Sequence, residues 1–167
     1  WGYVVAVPDK LNGYRKNDTE VRIKPGDFVY FNYKTMMRAP MLRLPLNELI
    51  ETDNTEIVDV WECDYADIFC RVDDKGEVHA IGDWVLLKKI EHTEQLGSGG
   101  LINPFSEIKK GQAVVATISD GVSLNTADGP VQAGDTVMFT HDQGAFENEI
   151  NGQMYWCCPA EIIHAKV

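Results

Sequence analysis

Apolar and polar residues alternate with a period of two, in short runs, along nearly the whole chain. Phe28-Val29-Tyr30-Phe31, Val114-Val115-Ala116 and Thr136-Val137-Met138-Phe139 are short strand-like runs within this pattern, and glycine- or aspartate-bearing turns separate them. A strand points successive side chains to opposite faces, so such runs predict strands with one buried face. Asp83-Trp84-Val85-Leu86-Leu87-Lys88 is apolar on both faces and predicts a strand covered on both sides. Sustained spacing of three and four is absent, apart from a short turn around Pro45–Ile50. Many short strands between turns predict an all-β fold, built as barrels or sandwiches.

The strand pattern repeats. Ile23-Lys24-Pro25-Gly26-Asp27-Phe28-Val29-Tyr30-Phe31 is similar to Val131-Gln132-Ala133-Gly134-Asp135-Thr136-Val137-Met138-Phe139. Ahead of each copy, Val4-Val5-Ala6-Val7 matches Val114-Val115-Ala116-Thr117, and each leads to a glycine-containing hairpin, at Leu11-Asn12-Gly13 and at Ala127-Asp128-Gly129-Pro130. Behind each copy, Trp61–Phe69 lines up with Tyr155–Ile163. Three blocks in one order signal an internal duplication. The spacing between copies falls from 108 at the Gly-Asp turns (26 to 134) to 94 at Ile68 and Ile162, so the first copy holds about 14 extra residues. They fall in 34–56, where Met36, Met37, Met41, Leu42, Leu44, Leu46, Leu49 and Ile50 make an apolar flap. Such a flap either covers its own domain or offers an adaptable surface to another subunit or a client. The charged turn Asp73–Glu77 marks the boundary and implies domains at 1–76 and 77–167. The first copy shows no counterpart of the run that opens the second. Either an upstream strand and loop are missing from it, or it closes in another way.

Between the strands at 83–88 and 113–116 lies a glycine-hinged stretch, about 93–110, with apolar residues where a loop is normally polar. Its centre is Gly99-Gly100-Leu101-Ile102-Asn103-Pro104. Leu101 and Ile102, if exposed, gain free energy when a partner's groove covers them; the other reading tucks them back onto their own domain.

Composition narrows the field. A chain of 167 residues, 44% hydrophobic, can bury a core. The net charge is -11 with no basic cluster, which argues against nucleic acid and anionic membrane surfaces. No apolar run is long enough to span a bilayer. Cys63, Cys70, Cys157 and Cys158 form no Cys-x-x-Cys pair, and no histidine stands at zinc spacing from them. They read as reduced, mostly buried residues of a cytoplasmic protein.

The second copy resembles the co-chaperonin (GroES-like, chaperonin-10) family, the lids of type I chaperonins. Gly82–Lys89 resembles the family's first strand, and Gly99-Gly100-Leu101-Ile102-Asn103 stands at its mobile loop. Gly111–Ala116 resembles the strand after the loop, Ala127-Asp128-Gly129 the roof hairpin, and Glu161–Ala165 the terminal strand. Two such domains resemble the double-domain co-chaperonins of plastids, and phage-encoded members are another kind of relative. The resemblance implies two tandem GroES-like small β-barrels, the first with a Met/Leu/Pro-rich insertion. It also implies a homo-oligomeric ring that caps a type I chaperonin and encloses its folding client through the apolar tripeptide. Here Asn103 holds the tripeptide's third place, where the family is apolar. That departure, with the enlarged first domain, leaves open a structural or assembly protein, for example of a phage particle, on the same barrel.

Enzyme chemistry finds no foothold. Gly97-Ser98-Gly99-Gly100 lacks the Lys-Ser/Thr of a phosphate loop, and no helix follows to make it a dinucleotide fingerprint. His79, His92, His141 and His164 are scattered, and the acidic residues are dispersed. The expectation is a protein that is not an enzyme, with no metal and no cofactor.

Overall fold

The two Gly-Asp turns are built by the same bonds. Gly26 and Gly134 both adopt φ of 92°, a left-handed conformation that glycine takes without steric cost. Each following aspartate folds back on the turn: the Lys24 amide donates to Asp27 Oδ2 at 3.0 Å, and the Gln132 amide to Asp135 Oδ2 at 2.8 Å. The Gly26 amide donates to the Val4 carbonyl at 2.7 Å and the Gly134 amide to that of Val115 at 2.8 Å.

The computed structural model describes residues 1–9, 11, 20–38, 40–90, 111–120, 122–140 and 143–167. They form two compact units, 1–85 with 118–122, and 86–117 with 123–167.

The first unit carries β1 (Gly2–Tyr3), β2 (Phe28–Phe31), β3 (Met41–Pro45), β4 (Ile57–Trp61), β5 (Ile68–Val72) and β6 (Val78–Ala80). One sheet has the order β1-β2-β5-β6, and β3 pairs with β4 as a separate two-stranded sheet. Ile23, Val29, Ile68 and Ile81 form a buried cluster, with half-buried Val4, Val7, Val21, Phe31, Cys63 and Tyr65 packed on it.

The remaining strands are β7 (Trp84–Lys89), β8 (Gln112–Ile118), β9 (Asn125–Thr126), β10 (Gly129–Pro130), β11 (Thr136–Phe139), β12 (Phe146–Ile150), β13 (Gln153–Pro159) and β14 (Ile163–Lys166). Six of them form a sheet of order β12-β13-β7-β8-β11-β14, and β9 pairs with β10. Leu86, Leu87, Ala113, Val115, Val137 and Cys157 are almost wholly buried, at about 1.5–3 kcal/mol for each large aliphatic side chain. The fold is all-β, as the alternation predicts. No sheet closes into a barrel among the described residues, since β12 and β14 remain edges.

The paired ladders agree residue by residue. In the first unit Phe28, Val29 and Tyr30 face Val72, Arg71 and Cys70, the register shifts, and Phe31 faces Ile68. In the second, Val137 and Met138 face Lys166 and Ala165, the register shifts, and Phe139 faces Ile163. A single 3₁₀ turn precedes β5 in the first unit and β14 in the second, at Tyr65–Asp67 and at Ala160–Ile162.

These bonds correct the alignment expected from sequence by one residue. Val4, not Val5, occupies the place of Val115, and Ile68 corresponds to Ile163 rather than Ile162. The spacing at the last strand is therefore 95 (68 to 163), and the first copy is longer by about 13 residues. Val114-Val115 and Ile162-Ile163 are adjacent like residues, so composition could not choose between them. The corrected register aligns Trp61 with Trp156 and Cys63 with Cys158.

The flap at 34–56 begins with a one-turn helix, Lys34–Arg38, too short for its period to show in sequence. Its buried Thr35 donates from Oγ1 to Asp67 Oδ2 at 3.1 Å. A 3₁₀ turn at Leu46–Glu48 matches the expected turn near Pro45–Ile50. Met36, Met37, Met41, Leu42 and Ile50 are exposed, so the flap does not cover its own unit with these side chains.

Candidate functional site

Gly99, Gly100, Leu101, Ile102 and Asn103 lie outside the described residues, as do all of 91–110. The strands that carry the segment are described. It leaves β7 and returns on β8, which are neighbours in one sheet. Both roots are pinned by side chains and backbone of the second unit.

At the outgoing root, Lys89 is held twice. Its Nζ lies 2.6 Å from Glu147 Oε1 on β12 and 5.5 Å from the centre of the Trp156 ring on β13. Lys88 stands over Tyr155 in the same manner, at 5.8 Å. Cation–ring contacts of this kind contribute about 0.5–1 kcal/mol at exposed sites. Trp156 in turn packs on Phe139, ring centres 6.1 Å apart.

At the returning root stands Gly111, with φ of 86°. A Cβ there would lie 2.7 Å from the Phe139 carbonyl oxygen, so only glycine fits. The close approach serves a bond: the Phe139 amide donates to the Gly111 carbonyl at 2.8 Å. Lys89, Gly111, Phe139, Glu147 and Trp156 thus fix where the segment starts and ends. Sequence reading placed Gly111 and Lys89 on the two strands without a role. The available signal was glycine as the last residue before β8.

The cysteine thiols offer no ready nucleophile. All four are free. Burial is the main cause that raises Cys63 to about 11 and Cys70 and Cys158 to about 12, so each is protonated at neutral pH. Among the described residues, Asp73, Glu77 and His79 form a group of metal-ligand type, with one ligand atom from each within 4.8 Å of the others. The carboxylate of Asp73 is already committed to the β5–β6 turn. Its Oδ1 accepts from the amides of Lys75 and Glu77, and its Oδ2 lies 3.0 Å from His79 Nε2. The His79 contact is the main reason the Asp73 carboxyl is held below its ordinary value. Among the described residues, no helix is long and apolar enough to cross a membrane.

Residues 77–167 match the family described as the chaperonin 10 Kd subunit. The chain belongs to this family. The match covers both roots of the 91–110 segment and the strands that pin them. A comparison with curated proteins finds no match.

Proposed function

We propose that this chain is a non-enzymatic co-chaperonin, which oligomerises into a lid and caps a type I chaperonin through Gly99-Gly100-Leu101-Ile102-Asn103. The observation that carries the reading is the family match over 77–167, together with a long connection rooted on neighbouring strands at Lys89 and Gly111. Neighbouring strands anchored this way hold the two ends of the connection in register.

The energetics favour many weak contacts over one strong one. Burying Leu101 and Ile102 in a groove contributes about 1.5–3 kcal/mol each. Ordering each loop residue costs about 1–2 kcal/mol, and Gly97, Gly99 and Gly100 raise that cost. A single loop therefore binds poorly, and a ring that presents several gains through effective concentration. Release follows as readily when the chaperonin changes state.

The tandem, double-domain form is part of the proposal. It is supported by the shared turn bonds, ladders and register shifts at Phe28–Val72 and Thr136–Val167. In this reading 1–76 is a diverged copy of the domain at 77–167. The free thiols suit a reducing, cytoplasmic setting.

Co-elution with a type I chaperonin, with and without nucleotide, tests the function. A nucleotide-dependent complex that Leu101→Ser/Ile102→Ser abolishes is the expected result. Absence of any complex with the chaperonin of the same host would refute capping.

A further inference from the structure

We infer that the flap at 34–56, with the strand β4 that follows it, is a docking surface for a cationic amphipathic helix of a partner protein. The inference is independent of chaperonin capping.

Apolar exposure is concentrated in this stretch. Among the described residues twelve large apolar side chains are exposed, and seven of them fall in 33–57, so they make a patch rather than a scatter of single residues. Met36 and Met37 of the one-turn helix, Met41 and Leu42 of β3, Ile50 after the 3₁₀ turn and Ile57 at the start of β4 carry it, with exposures from 46% to 77%.

Local contacts hold these elements together. Thr35 of the helix lies 3.7 Å from Cys63 Sγ, just past the end of β4. Register sets Met41 opposite Trp61 at that same end. The helix therefore stands at the Met41–Trp61 end of the strand pair. Along the pair, Leu42 faces Val60 and Leu44 faces Val58, and alternation puts all four on one side. No residue of β3 or β4 is buried. A two-stranded pair with no sealed face is marginal in water, so covering that apolar side stabilises it.

Charge selects the occupant. Residues 44–64 hold seven Asp or Glu and no Lys or Arg, and all seven acids are exposed. Arg43, the base just before them, is already paired with Asp59 at 3.4 Å. The acids interleave with the apolar residues: Glu48 and Glu51 bracket Ile50, and Glu56 precedes Ile57. Turning the chain does not require this long connection, since Asn151-Gly152 alone joins β12 and β13. A second copy of a chain of net charge -11 is repelled from such a surface, and a cationic segment is attracted.

The kind of contact follows from the elements. The exposed side chains come from a helix, a turn and two strands, so the surface offers side chains rather than one backbone ladder. A helix satisfies its own backbone and brings a continuous apolar stripe flanked by charge. Methionine is unbranched and polarizable, and three of them let the surface adapt to that stripe.

The test uses the whole chain labelled at its methionine methyl groups, five in all, and read by NMR. The probe is a peptide of about 18 residues built of leucine and lysine, with the leucines at helical spacing. The signals of Met36, Met37 and Met41 should shift saturably. Those of Met138 and Met154, which are also exposed but lie on β11 and β13, should stay in place. A peptide of the same composition with the leucines scrambled should bind at least tenfold more weakly, as should one with glutamate for lysine. Glu51→Lys/Glu56→Lys and Ile50→Ser/Ile57→Ser, all at exposed positions, should each cost at least tenfold in affinity. Chaperonin co-elution is a separate readout, so the two readings fail separately. No saturable shift, equal binding of the scrambled peptide, equal shifts at Met138 and Met154, or self-association that already covers the flap methionines would each overturn the inference.

Discussion

The two copies share their turns and their inner ladder and part company where one strand is added. In the second unit β7 lies between β13 and β8, and Cys157, Cys158, Ala113 and Val115 on these flanking strands are buried. By the corrected register β4 and β1 of the first unit correspond to β13 and β8; among the described residues they are edges, and their side chains are exposed or half-buried. Identical local sequence rules thus give a closed, dry face in one place and an open one in the other. The lesson is that burial belongs to the neighbour as much as to the residue. Cys63 and Cys158 are the same residue at the same register position, but β7 runs beside the strand of Cys158, whereas Cys63 lies beside Thr35 of the flap helix.

The sharpest break of the comparison targets glycines. Gly111→Ala should destabilise the second unit by about 3 kcal/mol, because a left-handed φ and a Cβ 2.7 Å from the Phe139 oxygen act together. Gly26→Ala and Gly134→Ala meet no atom within 4 Å, so each should cost only the conformational term, about 1–2 kcal/mol, and equally in both copies. Denaturant titration of the three variants checks the order. Unequal costs at Gly26 and Gly134 would break the equivalence of the turns.

A middle-sized effect separates the edges. Cys158→Ser places a hydroxyl in a fully buried site and should cost about 2 kcal/mol. Cys63→Ser sits at a half-buried site with Thr35 Oγ1 3.7 Å from its sulfur, and should cost under about 1 kcal/mol. In the native chain Cys63 should also react with a thiol reagent before Cys158. Equal costs and equal labelling rates would show that β7 does not set the difference.

The smallest effect is electrostatic. The Lys166 ammonium, 2.8 Å away, and then the Gln132 amide hold the Asp135 carboxyl below its ordinary value of 3.8. A lowered carboxyl stabilises the fold above its ordinary value, and that stability is lost as pH falls through the lowered one. Asp135→Asn should therefore lower stability in the neutral range, flatten the loss below pH 3.8 and leave the acid end little changed. Unfolding free energies measured from pH 6 to 2 read the slope; a slope unchanged by the variant would exclude the pair as its source.

Much of the fold was legible because it is local. Period-two runs name their own strands, and Gly26-Asp27 and Gly134-Asp135 specify their turns through a φ that few other residues adopt and a side chain that reaches its own backbone. The one-turn helix at Lys34–Arg38 was not legible, since five residues span barely more than one period. The alignment slip at Ile162-Ile163 has a similar cause: two adjacent apolar residues, both buried, leave the pattern degenerate until backbone pairing chooses. The roots of the 91–110 segment needed the structure too, because Glu147 and Phe139 are far from Lys89 and Gly111 along the chain.

By itself the sequence determined the all-β class, the repeated turns and the resemblance to the co-chaperonin lids, since each depends on residues close together in the chain. Only the tertiary structure decided which valine faces which partner, why Gly111 must be glycine, and which sheet edges stay open. Those are long-range facts, settled where hydrogen bonds join strands far apart in sequence and where one strand either shields its neighbours or leaves them wet.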